Sequence, residues 1–301
     1  MSDGVIVAEG LTKFYGKTRG VEGLDFEVKP GEVFGYLGPN GAGKTTTIRT
    51  MLDFMRPTRG RIRVLGMDSK ERSIDIHRRV GYLPGELALY PNMTGHEYLE
   101  YFANLRGGVD ERAIQALAER VGCDLTVRIK SLSHGNRQKV GLIQVFMHRP
   151  DLFVLDEPSQ GLDPLVQQEF YALVTEAREE GRTVFISSHV MPEVERLCDR
   201  VAIIREGKLI TVEDVGDMKA RALRTIGFHF AAPVPAAEFE RLPNVREVQV
   251  LGDTLRCSVT GPMDALIKLA ARFDVVNVQT AEASLEDIFL AFYGKGENHA
   301  G

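Results

Sequence analysis

The sequence predicts an α/β fold around a mostly parallel sheet, with a smaller α+β domain behind it, and three observations carry that prediction. Short apolar runs such as Val33-Phe-Gly-Tyr-Leu37 and Leu152-Phe-Val-Leu155 read as strands buried on both faces, and segments of helical period alternate with them. A glycine-rich loop, residues 38–46, lies between the first of these strands and a helix. Beyond about residue 217 the order of elements becomes strand-helix-strand, given twice.

Taken in order, Val5-Ile-Val7 and Leu24-Asp-Phe-Glu-Val28 read as strands, and Pro30-Gly31 turns the chain into the strand that starts at Val33. After the glycine loop, Ile48, Met51, Leu52 and Met55 recur at helical spacing, and Pro57 marks the stop. A further strand is expected over Val80–Leu83. Residues 94–106 place Tyr98, Leu99, Phe102 and Leu105 on one helical face, residues 110–121 do so for Ile114, Leu117 and Val121, and residues 133–148 turn Val140, Ile143 and Met147 toward a core. These helices form an insert over about residues 87–145. Strands starting at Leu152 and at Thr183 then flank a helix over 167–179. From Arg224 the expected elements are a strand (225–230), a helix (236–241), two strands (245–251, 254–260), a helix (263–273), a strand (275–280) and a last helix (284–292). That is a ferredoxin-like order with an added helix, so the expected domains are residues 1–217 and 218–301.

Composition narrows the function classes. Hydrophobic residues make up 44% and charged residues 26%, which fits a packed globular chain. The longest apolar runs are far shorter than the roughly 20 residues that a spanning helix needs, and the start Met1-Ser-Asp-Gly4 lacks an export signal, so a cytoplasmic chain is expected. With 37 basic against 42 acidic residues, charge offers no footprint for nucleic acid, and none is expected as a partner. Cys123, Cys198 and Cys257 are far apart and lack metal-ligand spacing, so reduced structural thiols are expected.

The chemistry concentrates in a few short stretches. Gly38-Pro39-Asn40-Gly41-Ala42-Gly43-Lys44-Thr45-Thr46 fits a phosphate-cradling loop: the glycines let backbone N–H groups curl around phosphate oxygens, Lys44 reaches the β- and γ-phosphates, and the Thr45 hydroxyl holds Mg²⁺. The helix that follows adds its dipole to the attraction. Asp156 and Glu157 end a buried strand, where ligands of parallel sheets bind; Asp156 suits the Mg²⁺ shell and Glu157 suits a group that polarises the attacking water. Leu132-Ser133-His134-Gly135-Asn136 reads as an N-cap and an exposed helix start, a second anion site. Taken alone it is an ordinary capping turn. Beside a complete phosphate loop it is redundant unless it serves the nucleotide of a neighbouring chain.

With these motifs in this order and spacing, the chain resembles the nucleotide-binding subunits of ATP-binding cassette (ABC) transporters over about residues 5–215. The resemblance implies a P-loop NTPase cassette with an antiparallel β subdomain and a helical insert. It makes residues 38–46 the Walker A loop, Asp156 the Walker B aspartate, Glu157 the catalytic glutamate, and Ser133 and Gly135 the signature that closes on the partner copy's γ-phosphate. Tyr15 stands where the family stacks an aromatic ring on adenine, with a core aromatic as the rival reading; Asp163 matches the loop that crosses the dimer interface, and His189 the switch histidine that contacts the γ-phosphate.

Two positions depart from the family pattern. Gly85, in Gly81-Tyr-Leu-Pro-Gly85-Glu86, replaces a glutamine that contacts Mg²⁺, and the signature carries His134 and Asn136 where glycine and glutamine are commonest. The implied function is an ATP-driven clamp: two copies meet head to tail, ATP and Mg²⁺ lie between one copy's Walker A and the other's signature, and hydrolysis reopens them. Motion passes to a separate membrane permease through residues 87–130, which places the chain on the cytoplasmic face of the membrane. The element order, and the ending Ser284-Leu-Glu-Asp-Ile-Phe-Leu290, are similar to the ATPases of two-gene exporters of drugs, antibiotics or lipids. A soluble non-transport cassette ATPase and an ATP-dependent dimerisation module with weak hydrolysis are the rival readings.

Overall fold

The structure is a computed structural model that describes residues 4–221 and 224–281. The chain divides between Glu213 and Asp214 into two compact units.

In the first unit, β1 (Ile6–Tyr15) and β2 (Thr18–Val28) form an antiparallel hairpin. β3 (Val33–Leu37) is buried at every position and leads through the glycine loop into α1 (Lys44–Met51). β4 (Arg59–Val64) and the short β5 (Met67–Asp68) extend an antiparallel sheet of order β2-β1-β4-β5. α2 (Ser73–Arg79) and β6 (Val80–Leu83) precede the helical insert, made of α3 (Gly95–Leu105), α4 (Glu111–Arg120) and α5 (His134–Phe146). Then come β7 (Leu152–Asp156), α6 (Pro164–Glu179), β8 (Thr183–Ser188), α7 (Met191–Leu197), β9 (Arg200–Arg205) and β10 (Lys208–Asp214).

The central sheet has the order β10-β9-β3-β8-β7-β6 and is parallel from β9 to β6. Its register sets Leu37 beside Ser188 and Asp156 beside Ser187, so the carboxyl ends of β3, β7 and β8 finish together. In such sheets that edge is where ligands bind. Phe26, Phe34, Tyr36 and Phe185 stack beneath it with ring centroids 5.4 to 6.4 Å apart. Burial of each such ring contributes about 2–3 kcal/mol. Tyr36 also bonds Thr47 across 3.1 Å, which ties β3 to α1 on either side of the glycine loop.

Three expectations need correction. The first helix ends at Met51 and does not reach Met55: Asp53 adopts a φ of 57°, and the N–H groups of Phe54 and Met55 both turn back to the Arg49 carbonyl. Leu105, expected on a core face, is 64% exposed, whereas Tyr98 and Leu99 of the same helix are buried. The hairpin strands also run far beyond Val5–Val7 and Leu24–Val28, because polar residues fill their outer face.

His148 follows α5 half-buried, its Nδ1 3.3 Å from the Gln144 carbonyl, and burial together with the Arg106 and Arg182 charges lowers its pKa to about 4. The folded state therefore holds a neutral imidazole where the unfolded chain binds a proton below about 6.5. Stability is expected to be complete above that pH and to fall by on the order of 2–3 kcal/mol as pH drops toward 4. Urea titrations of wild type and His148→Gln across that window check this, the variant showing the shallower slope.

In the second unit, α8 (Val215–Arg221) precedes β11 (Arg224–Phe230), α9 (Ala236–Glu240), β12 (Val245–Leu251), β13 (Thr254–Val259), α10 (Asp264–Ala270) and β14 (Val275–Ala281). The sheet order β12-β13-β11-β14, antiparallel throughout, is the ferredoxin-like arrangement. Phe228, Phe230, Phe239, Leu255 and Leu266 fill its own core. The helix expected over 284–292 lies outside the described residues.

Candidate nucleotide site

The glycine loop leaves the end of β3 and wraps back to start α1. Gly41 and Gly43 sit at φ of 81° and 106°, and a Cβ on Gly43 would come within 2.8 Å of the Gly20 carbonyl oxygen. Only glycine meets both demands there. Lys44 is 6% exposed, and its Nζ donates to the carbonyls of Gly38 at 2.6 Å and Pro39 at 3.3 Å. The ammonium is thus held by main-chain oxygens at the mouth of the loop, next to a cleft lined by Tyr15, Asn40, Gly41, Thr45, Thr46 and Glu157 among others.

Across that mouth, Asp156 is 2% exposed; its Oδ2 accepts from the Thr45 hydroxyl at 2.9 Å and its Oδ1 from the Ser187 hydroxyl. A hydroxyl and a carboxylate side by side beside a phosphate loop are hard oxygen donors. They would suit a Mg²⁺ ion. Glu157 follows at a φ of 51°, unusual for a non-glycine residue and of a kind that clusters at functional sites. Its Oε1 lies at ion-pair distance from Lys44 Nζ, 3.1 Å, without receiving a hydrogen bond, and its Oε2 meets His189 Nδ1 at 2.6 Å. Lys44, Glu157 and His189 therefore form one chain of polar contacts from the end of β3 to the end of β8.

Tyr15 reaches the same cleft from the β1–β2 hairpin. It is 45% exposed, its hydroxyl bonds Thr46 at 3.2 Å and the Met55 sulfur at 3.0 Å, and Lys13 Nζ lies 5.7 Å over its ring. The remaining predicted residues lie elsewhere. Ser133 is exposed and caps α5, accepting from Asn136 N at 3.2 Å, and Gly135 abuts the Gly161 carbonyl, where a Cβ would approach to 2.8 Å. Asp163 caps α6, accepting from the N–H groups of Leu165 and Val166. None of these three lines the cleft of Lys44.

Several partners were not singled out from the sequence. Ser187 anchors Asp156, and buried Gln138 of α5 donates to the Pro158 carbonyl at 3.3 Å, joining the signature helix to the loop after Glu157. Glu193, almost fully buried, accepts from Ser188 at 2.6 Å beside His189, and burial holds its carboxyl above the ordinary range. For Ser187 the available signal was its place two residues before the switch histidine; for Gln138 it was a polar residue on a buried face of a helix.

Comparison with known proteins identifies the family. The family description "ABC transporter" matches residues 21–160. The chain is similar to the "Bacitracin transport ATP-binding protein BcrA" of Bacillus licheniformis, 35% identical over 97% of this chain and 98% of that one. It is likewise similar to the "Linearmycin resistance ATP-binding protein LnrL" of Bacillus subtilis (strain 168), 32% identical over 97% and 99%. Among solved structures, an "ATP binding subunit of ABC transporter" superposes with a TM-score of 0.66 at 28% identity, covering 71% of this chain and 92% of that one. The loop at the end of β3, the carboxylate pair at the end of β7 and relatives matched along nearly their whole length lead to one conclusion: this chain belongs to the ATP-binding, ATP-hydrolysing subunits of ABC transporters.

Proposed function

We propose that the chain powers an exporter as a head-to-tail pair of copies coupled to a separate membrane permease. One observation carries this: Lys44, Thr45 and Glu157 line one cleft, with Asp156 bonded to Thr45 and His189 to Glu157, while Ser133 and Gly135 stand at a helix start outside it. A second copy is the simplest way to bring a helix start to that cleft.

In this reading Lys44 leaves the Gly38 carbonyl for the β- and γ-phosphates, and residues 38–46 enclose them with main-chain N–H groups. Thr45 and Asp156 hold Mg²⁺, whose charge offsets that of the phosphates. Glu157 accepts a hydrogen bond from the attacking water and takes its proton; His189, already bonded to Glu157, steers that carboxylate and reaches toward the γ-phosphate. Tyr15 stacks on adenine, and Ser133 and Gly135 of the second copy close over the phosphates, with Asp163 on the loop that faces that copy. Residues 218–301 act as an accessory domain that stabilises the pair. No helix among the described residues is long and apolar enough to cross a membrane, so the membrane path is assigned to the permease, with this chain peripheral on the cytoplasmic face.

The relatives' names, bacitracin transport and linearmycin resistance, support antibiotics as the exported class. Expressed with its permease in a sensitive host, the chain is expected to raise the inhibitory concentration of such a compound about fourfold or more, and Lys44→Ala to abolish the gain. Unchanged sensitivity with ATP turnover intact would remove the export role and leave the ATPase.

A further inference from the structure

Gly85 lies against the metal-side carboxylate: a Cβ there would sit 3.5 Å from the Asp156 carbonyl oxygen and 3.8 Å from Asp156 Oδ2. Position 85 therefore faces Asp156 at ordinary contact distance and offers it no side chain. The space is a cleft lined by Thr45, Arg49, Gly85, Asp156, Glu157 and Gln160 among others, Glu86 included. A neighbouring cleft, lined by His134 and Gly161 among others, shares Gln160 as a wall.

The backbone that carries Gln160 is pinned on four sides. Gln160 N donates to the Glu157 carbonyl at 3.2 Å, Leu162 N to the Ser159 carbonyl at 3.2 Å, Gln138 to the Pro158 carbonyl, and Gly135 packs on Gly161. Its own side chain is exposed, takes part in none of these bonds and borders the cleft. A water attacking in line needs a second fixed hydrogen bond besides the one to its base. A carboxylate in that role, such as Glu86, would add negative charge beside Asp156, Glu157 and the phosphates; a carboxamide adds none and can both donate and accept.

We propose that Gln160 supplies the neutral amide that positions the attacking water between Glu157 and Asp156, in the place where residue 85 has no side chain. The proposal rests on the assignment of Glu157 as base.

Full-length protein with its permease serves for the test, with kcat from phosphate release and affinity from titration with a fluorescent ATP analogue and Mg²⁺. Gln160→Ala and the isosteric Gln160→Glu are each expected to lower kcat about ten- to a hundredfold with affinity within about twofold of wild type. Adding Gly85→Gln to Gln160→Ala is expected to recover most of that loss, because a side chain at 85 enters the same space. Turnover by Gln160→Glu equal to wild type, affinity lost in step with kcat, or no recovery by Gly85→Gln would each overturn the proposal. Failure of the base assignment is distinguishable, since Glu157→Gln would then keep the wild-type rate whatever stands at 160.

Discussion

Replacing Glu157 with Gln is expected to cut ATP turnover by about three orders of magnitude while ATP binding stays intact or tightens. The substitution keeps the shape at the end of β7 but removes the group that takes the proton from water, and positioned general bases are worth about 10²- to 10⁴-fold. It also removes the negative partner 3.1 Å from Lys44, so the ammonium is held by the Gly38 and Pro39 carbonyls alone and moves to phosphate more readily. His189 loses the carboxylate at 2.6 Å and keeps an amide oxygen, which preserves its place. Phosphate release and analogue titration on the same preparations separate the two effects, and light scattering with ATP should find the variant arrested as a dimer. Equal and near-zero turnover by wild type and variant, with the permease present, would instead support ATP as a glue between copies.

How much of this was legible beforehand depends on where each residue sits. β3 and β7 were plain because strands buried on both faces have no polar positions, and a phosphate loop between strand and helix restricts its glycines by backbone geometry alone. β4, with Arg59, Arg61 and Arg63, is legible only as part of a solvated loop and strand face, because its exposed side carries charge and only Ile62 and Val64 are apolar. The end of α1 was misplaced because Met55 continues the helical spacing after the backbone has already turned at Asp53. The carboxylate pair at 156 and 157 was readable as a pair, but the contacts that aim it were not. They come from Lys44 and His189, over 100 and about 30 residues away, and from the unusual φ of Glu157. Distances of that kind are set by sheet order, which one sequence does not print.

Mixing two dead variants is expected to restore activity, and the amount restored tests the geometry of the pair. Lys44→Ala removes the phosphate-binding ammonium and should abolish turnover by itself. Ser133→Arg places bulk and charge at the α5 start and removes its cap, at about 1 kcal/mol of stability; because Ser133 is exposed, the chain should still fold. If each site combines one copy's loop with the other's helix start, a mixed dimer keeps one intact site: the loop of the Ser133→Arg copy facing the Ser133 of the Lys44→Ala copy. Random exchange makes about half of the dimers mixed, so about a quarter of the wild-type sites should return. If both elements served the same chain's nucleotide, every site in the mixture would remain broken and no turnover would appear. Titrating one variant into the other should give a maximum near equal amounts, since an excess of either copy favours dimers with no intact site. A flat, near-zero response would place the helix start at Ser133 over its own chain's nucleotide and remove the two-copy mechanism, while leaving the loop, Asp156 and Glu157 to account for hydrolysis within one chain.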